Sequence, residues 1–474
     1  MAGPQASGLA RELAAAFPAD LLRTADADRA RYETDHRKRY HGRALAIALP
    51  RTTADVSRLL AWCNARRLGV VPQGGNTGYC GGATPDDSGT QLVLSLERMR
   101  QVRGVDAANL SMAVEAGCLL ADVQAAAADA GCCFPLELGS AGSCQIGGNL
   151  ATNAGGMNVL RYGMTRSLVL GIEAVLADGR VYEGLRALRK DNTGYDLRSL
   201  LVGSEGTLGV ITAATLRLWP ARRSTATALV ALPSPSAALA LLGMLRNRCE
   251  DRLESFELLP RIALELVRRH IPGAAAPFAE APPWSVVCEL ASAAIEPLGE
   301  LLQAVLADAL AAGIATDAVL ATSESQRLAL WAVRESVPEA QRRGGPGLRH
   351  DISVPVASIP RFIEEAGAGL AHLVPNATLV GYGHLGDGNL HFNLNWFAGA
   401  APGEVEAMEL PVRRYVHDLV ASYGGSFSAE HGVGQSKRDE LARYGSPVGL
   451  AMMRAIKQAF DPNGIMNPGK LLAP

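Results

Sequence analysis

Two histidines, His384 and His391, stand in the run Val380–Asn395, V-G-Y-G-H-L-G-D-G-N-L-H-F-N-L-N. A second polar run, Ser428-Ala-Glu-His-Gly-Val-Gly434, places Glu430 beside His431. A neutral imidazole is the commonest side-chain ligand for zinc, and a catalytic site needs a third ligand plus an open position. Glu430 is the candidate third ligand and His431 a candidate base. The same residues also suit a pair of hydrogen-bonding histidines at a hairpin with no metal, because this spacing is not a tight metal signature.

The elements that must position these groups follow from local pattern. Thr378 to Gly383 and Leu390 to Leu394 read as two strands of a hairpin joined by a Gly/Asp/Asn-rich turn. Strand period puts His391 and Asn393 on one face. His384 falls where the first strand enters the turn, so the two rings can converge. Asp387 in that turn reads as a turn former before Gly388.

The rest of the chain bounds the class. With 474 residues, 48% apolar and 19% charged residues and a net charge of −2, this is the composition of an ordinary globular protein of two or three domains. Near-neutral balance without a basic stripe speaks against nucleic acid. The opening residues lack a signal-peptide core, and the apolar run Ala226 to Leu245 is broken by two prolines, so no membrane span is expected. Eight cysteines without a C-x-x-C read as buried small hydrophobes in a reducing compartment, which points to the cytoplasm.

Leu45–Pro50, a helix starting at Thr52 to Asp55, and Val70-Val71 make a β-α-β unit. It runs into Pro72–Gly82, where five of eleven residues are Gly, so backbone N–H groups can approach a pyrophosphate. A flexible surface loop would look the same in isolation. The G-x-G-x-x-G fingerprint is absent from this loop and no helix pattern follows it, which speaks against a Rossmann NAD site, and the P-loop motif is absent as well, which speaks against a nucleoside triphosphatase. Two further small-residue stretches follow, Gly139–Asn158 and Gly203–Gly209. Three such loops beside apolar strands fit one extended phosphate-bearing cofactor better than three unrelated turns.

P-Q-G-G-N-T-G, G-S-C-Q-I-G-G-N-L-A-T-N-A-G-G, R-Y-G, D-N-T-G-Y-D-L and G-S-E-G-T-L-G-V-I-T resemble the FAD-binding domain of the vanillyl-alcohol oxidase superfamily. G-Y-G-H-L-G-D-G-N-L-H, S-A-E-H-G-V-G and D-P-N-G-I-M-N-P-G-K-L resemble its flavin-dependent 2-hydroxyacid dehydrogenases, the D-2-hydroxyglutarate branch first and D-lactate next. The resemblance runs over residues 35–474.

It implies FAD held by Pro72, Gly74, Gly75, Asn76, Thr77 and Gly78 at the pyrophosphate. Gly142, Ser143, Ile146, Gly147, Asn149, Thr152, Asn153, Gly156 and Asn158 form the second flavin loop. Gly206 and Ile211 fall on the adenine side, and Asn467 returns to the flavin. The first loop has no His, so the FAD is expected to be non-covalent. The resemblance also implies a divalent metal, zinc by its ligands, at His384, His391 and Glu430, with His431 as the base. Arg334, Arg349 and Asn393 are the implied substrate partners. Arg349 replaces a Lys common in relatives, and Pro338 replaces a Thr of some hydroxyglutarate enzymes; both bear on the choice of diacid.

The implied fold is α+β. A two-part FAD-binding domain is joined to an antiparallel-sheet substrate domain with helices on one face. The expected order is an N-terminal helical segment over 1–40, an FAD domain over 41–221, a substrate domain over 222–425, and a C-terminal helical segment over 426–474 that returns to the FAD domain. The implied reaction oxidises D-2-hydroxyglutarate to 2-oxoglutarate and passes electrons to an electron-transfer flavoprotein or a quinone, with a homodimer as the family's assembly. D-lactate or D-malate oxidation by the same machinery is the near alternative. A non-catalytic flavoprotein subunit of an electron-transfer complex is the distant one.

Overall fold

A computed structural model describes residues 4–473. They divide into two compact units. The first comprises residues 4–156, 164–221 and 430–473; the second comprises 157–163 and 222–429.

The first unit is built on two sheets. In one, Ala44–Ala48, Gln91–Ser95 and Val70–Gln73 run parallel, with Leu22–Arg23 antiparallel on the outer edge. Helix Thr53–Arg66 makes the crossover between Ala44–Ala48 and Val70–Gln73. It starts where it does because Thr52 and Asp55 form a reciprocal capping box, and it buries Val56, Leu59, Leu60 and Cys63 against the sheet. The other sheet has five antiparallel strands, in the order Val102–Asp106, Ser111–Glu115, Val210–Arg217, Val169–Val175 and Val181–Gly184. The C-terminal chain is stitched into this unit: the Val70 amide donates to the Ile465 carbonyl (2.7 Å) and the Asn467 amide to the Val70 carbonyl (2.8 Å). Ile465 and Met466 are buried in its core.

The second unit is one eight-stranded antiparallel sheet. Its central strands, Ser224–Leu232, Trp284–Ser292, Leu253–Pro260 and Thr378–His384, lead to Asn389–Asn395 at the polar end. The helices cover both faces, where one covered face was expected. Val230, Val286, Cys288, Phe256, Leu258 and Phe392 pack against helices Pro235–Cys249, Leu298–Ala311 and Ile359–Leu373. Leu229, Val287, Leu259, Val380 and Tyr382, one residue out of phase, pack against helices Arg261–His270, Glu324–Glu335 and Val337–Gly344. Strands apolar on both sides need a layer on each. The helix expected from Pro411 starts at Glu404, so Pro411 lies inside it.

No disulfide joins the eight cysteines, and Cys133 alone of them is only half-buried. Burial pushes the Cys63 thiol up to about 12, which suits a packing role.

Candidate functional site

Each unit carries a distinct polar feature, made in a different way. In the first unit the three small-residue loops converge on one cleft of about 1020 Å³, open solvent included. Pro72, Gly74, Gly75, Asn76, Thr77 and Gly78 line it, with Gly147, Asn149, Thr152, Gly206 and Ile211. No Lys or Arg among the described residues lines it, so phosphates there would be held by backbone N–H groups and short polar side chains.

The glycines are there for close approach. A Cβ on Gly75 would overlap the Ser143 carbonyl oxygen, and a Cβ on Gly206, at φ +71°, would press on the Pro72 ring at 3.0 Å. Asn76 takes φ +53°, a conformation Asn tolerates well, and its side-chain amide donates to the Thr34 carbonyl at 2.8 Å. The buried Gln145 Oε1, on a residue lining the cleft, has no hydrogen-bond partner among the described residues. An orphan buried acceptor in a backbone-lined cleft fits a cofactor that donates to it. The residues present therefore fit FAD.

Gly142, Ser143, Ile146, Asn153, Gly156 and Asn467 do not line the cleft. Ile146 is buried beneath it, Asn153 Oδ1 accepts from the Arg166 amide, and Asn467 donates to the Gly82 and Glu205 carbonyls. Through these bonds Asn153 and Asn467 brace neighbouring backbone. Asn158 belongs to the second unit, where its Oδ1 accepts from Ser255 Oγ (2.9 Å).

The residues 430–436 are held to the first unit by a carboxylate that sequence reasoning passed over. Glu205, itself at φ +52°, accepts the amides of Val433 (2.8 Å) and Gly434 (2.7 Å). Burial raises its pKa, and these two bonds oppose the shift. The signal was an acid inside the G-S-E-G-T-L-G loop. His431 lines the cleft and stacks edge-on to Tyr79, with ring centroids 4.8 Å apart. Its Nε2 lies 3.6 Å from Glu430 Oε1, and Glu430 Oε2 accepts from the Gly156 amide at 3.4 Å.

The second unit's feature is a buried polar strip on one face of its sheet. Val380, Tyr382 and His384 share that face with His391, Asn393 and Asn395, as the antiparallel register pairs Tyr382 with His391 and Val380 with Asn393. The His384 and His391 ring centroids lie 5.5 Å apart. One strand over, Glu257 pairs in register with His384, and its Oε1 is 2.6 Å from His384 Nδ1. Arg334 Nε donates to the other oxygen, Oε2, at 2.7 Å. Burial alone would raise the Glu257 pKa, but the contacts with His384 and Arg334 override it and hold the group below the ordinary carboxylate value.

Helix Glu324–Glu335 carries this cation because its buried face repeats Leu330, Trp331 and Arg334, capped by Ser323 at the start. Two turns earlier Arg327 donates to Glu289 (3.1 Å), which also accepts from Trp331 Nε1 (2.8 Å) and Thr227 Oγ1 (2.5 Å). A row of cations on the helix thus faces a row of acids on the sheet.

The other expected substrate partners lie along the same strip. Asn393 Oδ1 accepts from the His350 amide (3.2 Å) and its Nδ2 donates to Gln341 (3.1 Å); Arg349 Nη1 donates to Asn395 Oδ1 (2.7 Å). Pro338 opens helix Val337–Gly344 in its first turn, where proline is favoured. Glu257, Gln341 and Asn395 were not singled out from sequence. The available signal for Glu257 was two acids in an otherwise apolar strand, L-E-S-F-E-L-L-P.

Comparison with known proteins bears on both features. The family model of FAD linked oxidases, C-terminal domain, matches residues 221–471, and an FAD binding domain matches residues 44–184. The chain is 39% identical to a D-2-hydroxyglutarate dehydrogenase of Xanthomonas citri pv. viticola over 456 residues, covering 96% of this chain and 95% of that one. It is 41% identical to the mitochondrial D-2-hydroxyglutarate dehydrogenase of Bos taurus over 434 residues, 91% of this chain and 77% of the relative. Its fold is that of p-cresol methylhydroxylase, with a TM-score of 0.77 at 15% identity over 99% of this chain and 97% of that one.

Proposed function

From a chain that belongs to the FAD-linked oxidases and is an FAD-dependent D-2-hydroxyacid dehydrogenase, we propose that the substrate is D-2-hydroxyglutarate and the product 2-oxoglutarate. The observation that carries this reading is the polar strip. A sheet face that is otherwise apolar buries His384, Asn393, Asn395 and the Arg334–Glu257 pair beside a half-buried His391, a concentration of hydrogen-bonding groups suited to orienting a polar ligand.

Oxidation removes the C2 hydrogen with its electron pair and the proton of the 2-hydroxyl. FAD, bound without a covalent link, supplies the two-electron acceptor. His431 is the base for the hydroxyl proton, a role suited to an imidazole lining the flavin cleft. His384, His391 and Glu430 would hold a divalent metal, zinc by its ligand types, which would acidify the 2-hydroxyl. Arg334, Arg349 and Asn393 orient the carboxylates. The reduced protein passes electrons to an electron-transfer flavoprotein or a quinone, and acts as a homodimer in the cytoplasm. No described helix is long and apolar enough to cross a membrane.

Turnover with an artificial acceptor tests the substrate. D-2-hydroxyglutarate should outrun D-lactate, D-malate and the L enantiomer. Preference for D-lactate would replace the diacid by a monocarboxylate. Prolonged treatment with EDTA should abolish turnover, and full retention would remove the metal from the scheme.

A further inference from the structure

We infer that Glu257 is the positioning residue that fixes the tautomer of His384, and that Arg334 is the counter-cation that lets it do so inside the core. The inference rests on the proposed role of His384 as a ligand.

Both Glu257 oxygens are spoken for: one meets His384 Nδ1 at 2.6 Å and the other meets Arg334 Nε at 2.7 Å. A carboxylate that is acceptor-only requires the hydrogen to sit on Nδ1, so a neutral His384 offers its lone pair at Nε2. Glu257 and Arg334 are 1% and 5% exposed, so water cannot substitute for either. The register pair between Glu257 and His384 sets the distance through the backbone rather than through a loop. Arg334 lies 5.0 Å from the Tyr382 ring centroid, and that ring in turn stands 5.1 Å from His391.

The guanidinium cancels the charge of Glu257. The carboxylate that orients the ring is therefore buried as a pair, with no uncompensated charge in the core. This gives Arg334 a task besides any contact with substrate. A histidine ligand is commonly fixed by such an outer carboxylate, and losing that partner weakens metal affinity about 10–100-fold.

The test is Zn²⁺ and Co²⁺ binding to the FAD-loaded full chain, by metal analysis after gel filtration and by competition against a chelator. Glu257→Gln leaves the Arg334 charge buried and unpaired, so Glu257→Gln/Arg334→Gln, with neither charge, is measured beside it. Flavin content reports that the first unit is intact. The expected result is a loss of about 10–100-fold in metal affinity in the folded variants, with Glu257→Asp between them and wild type. Variants that hold metal as tightly as wild type would overturn the inference and leave the metal reading standing. A wild-type protein that takes up neither ion would overturn the metal reading and the inference with it.

Discussion

The cleft of the first unit is made of backbone, and the polar strip of the second is made of side chains. In the cleft, Gly75 and Gly206 let main chain approach main chain, and no Lys or Arg among the described residues lines it. In the strip, Glu257, Arg334, His384, Gln341 and Asn393 are buried and hydrogen-bonded to one another across the sheet. A backbone site tolerates little added volume and is indifferent to charge. A side-chain site is sensitive to the loss of a single charge. Substitutions should therefore fail in different ways in the two units.

The largest effect expected is at Arg334. Replacing it by Met leaves Glu257 buried with one partner fewer, and breaking such a pair costs about 3–5 kcal/mol. Chemical denaturation should show this loss, and the charge-free pair Glu257→Gln/Arg334→Gln should recover part of it. If Arg334→Met were as stable as wild type, the strip would not depend on charge pairing. Next comes Gly75→Ala, where the added methyl overlaps the Ser143 carbonyl. Overpacking of this kind costs about 1–3 kcal/mol, and here it should appear as lost FAD retention on gel filtration. Normal flavin content in Gly75→Ala would contradict a cleft built by close backbone approach.

Glu205→Gln sharpens the contrast, because Glu205 is a half-buried side-chain anion lining the backbone site. It keeps one acceptor and sets an NH₂ against the amide of Val433 or Gly434, a mismatch of about 1–3 kcal/mol. Flavin affinity should fall with stability, and an unchanged variant would mean the 430–436 loop is held by its other contacts alone.

The smallest effect lies away from both sites. Thr52→Ala removes the cap of helix Thr53–Arg66 and should cost about 1 kcal/mol with flavin content unchanged. The same cap gives a pH dependence. Burial works to raise the Asp55 pKa, but bonds from the Arg51 and Thr52 amides and the Arg58 and Thr52 side chains bring it below its ordinary 3.8. A folded value below the unfolded one adds stability above 3.8, lost as pH falls through the folded value. The stability gap between wild type and Asp55→Asn should therefore narrow in acid.

The same contrast explains what could be read in the sequence. The cleft loops were legible because glycine at a close approach leaves a mark in the chain itself, and all three runs do line one cleft. The hairpin was legible too, since Gly381, Tyr382, His391 and Asn393 alternate as strands require. Glu257 was not legible. Its partner His384 is 127 residues away, and only the register of the folded sheet joins them. Gln341 and Asn393, 52 residues apart, meet only once helix Val337–Gly344 covers the sheet. The second helical layer escaped for a related reason: a strand buried on both faces loses the alternation that shows which side is covered.

We propose that D-2-hydroxyglutarate is the acid that reduces the FAD bound to this chain. The most direct test is the anaerobic visible spectrum of the FAD-loaded protein before and after D-2-hydroxyglutarate is added. The oxidised flavin spectrum should bleach at once with the D enantiomer and stay unchanged with the L. A flavin that binds but remains oxidised in D-2-hydroxyglutarate would contradict this reading.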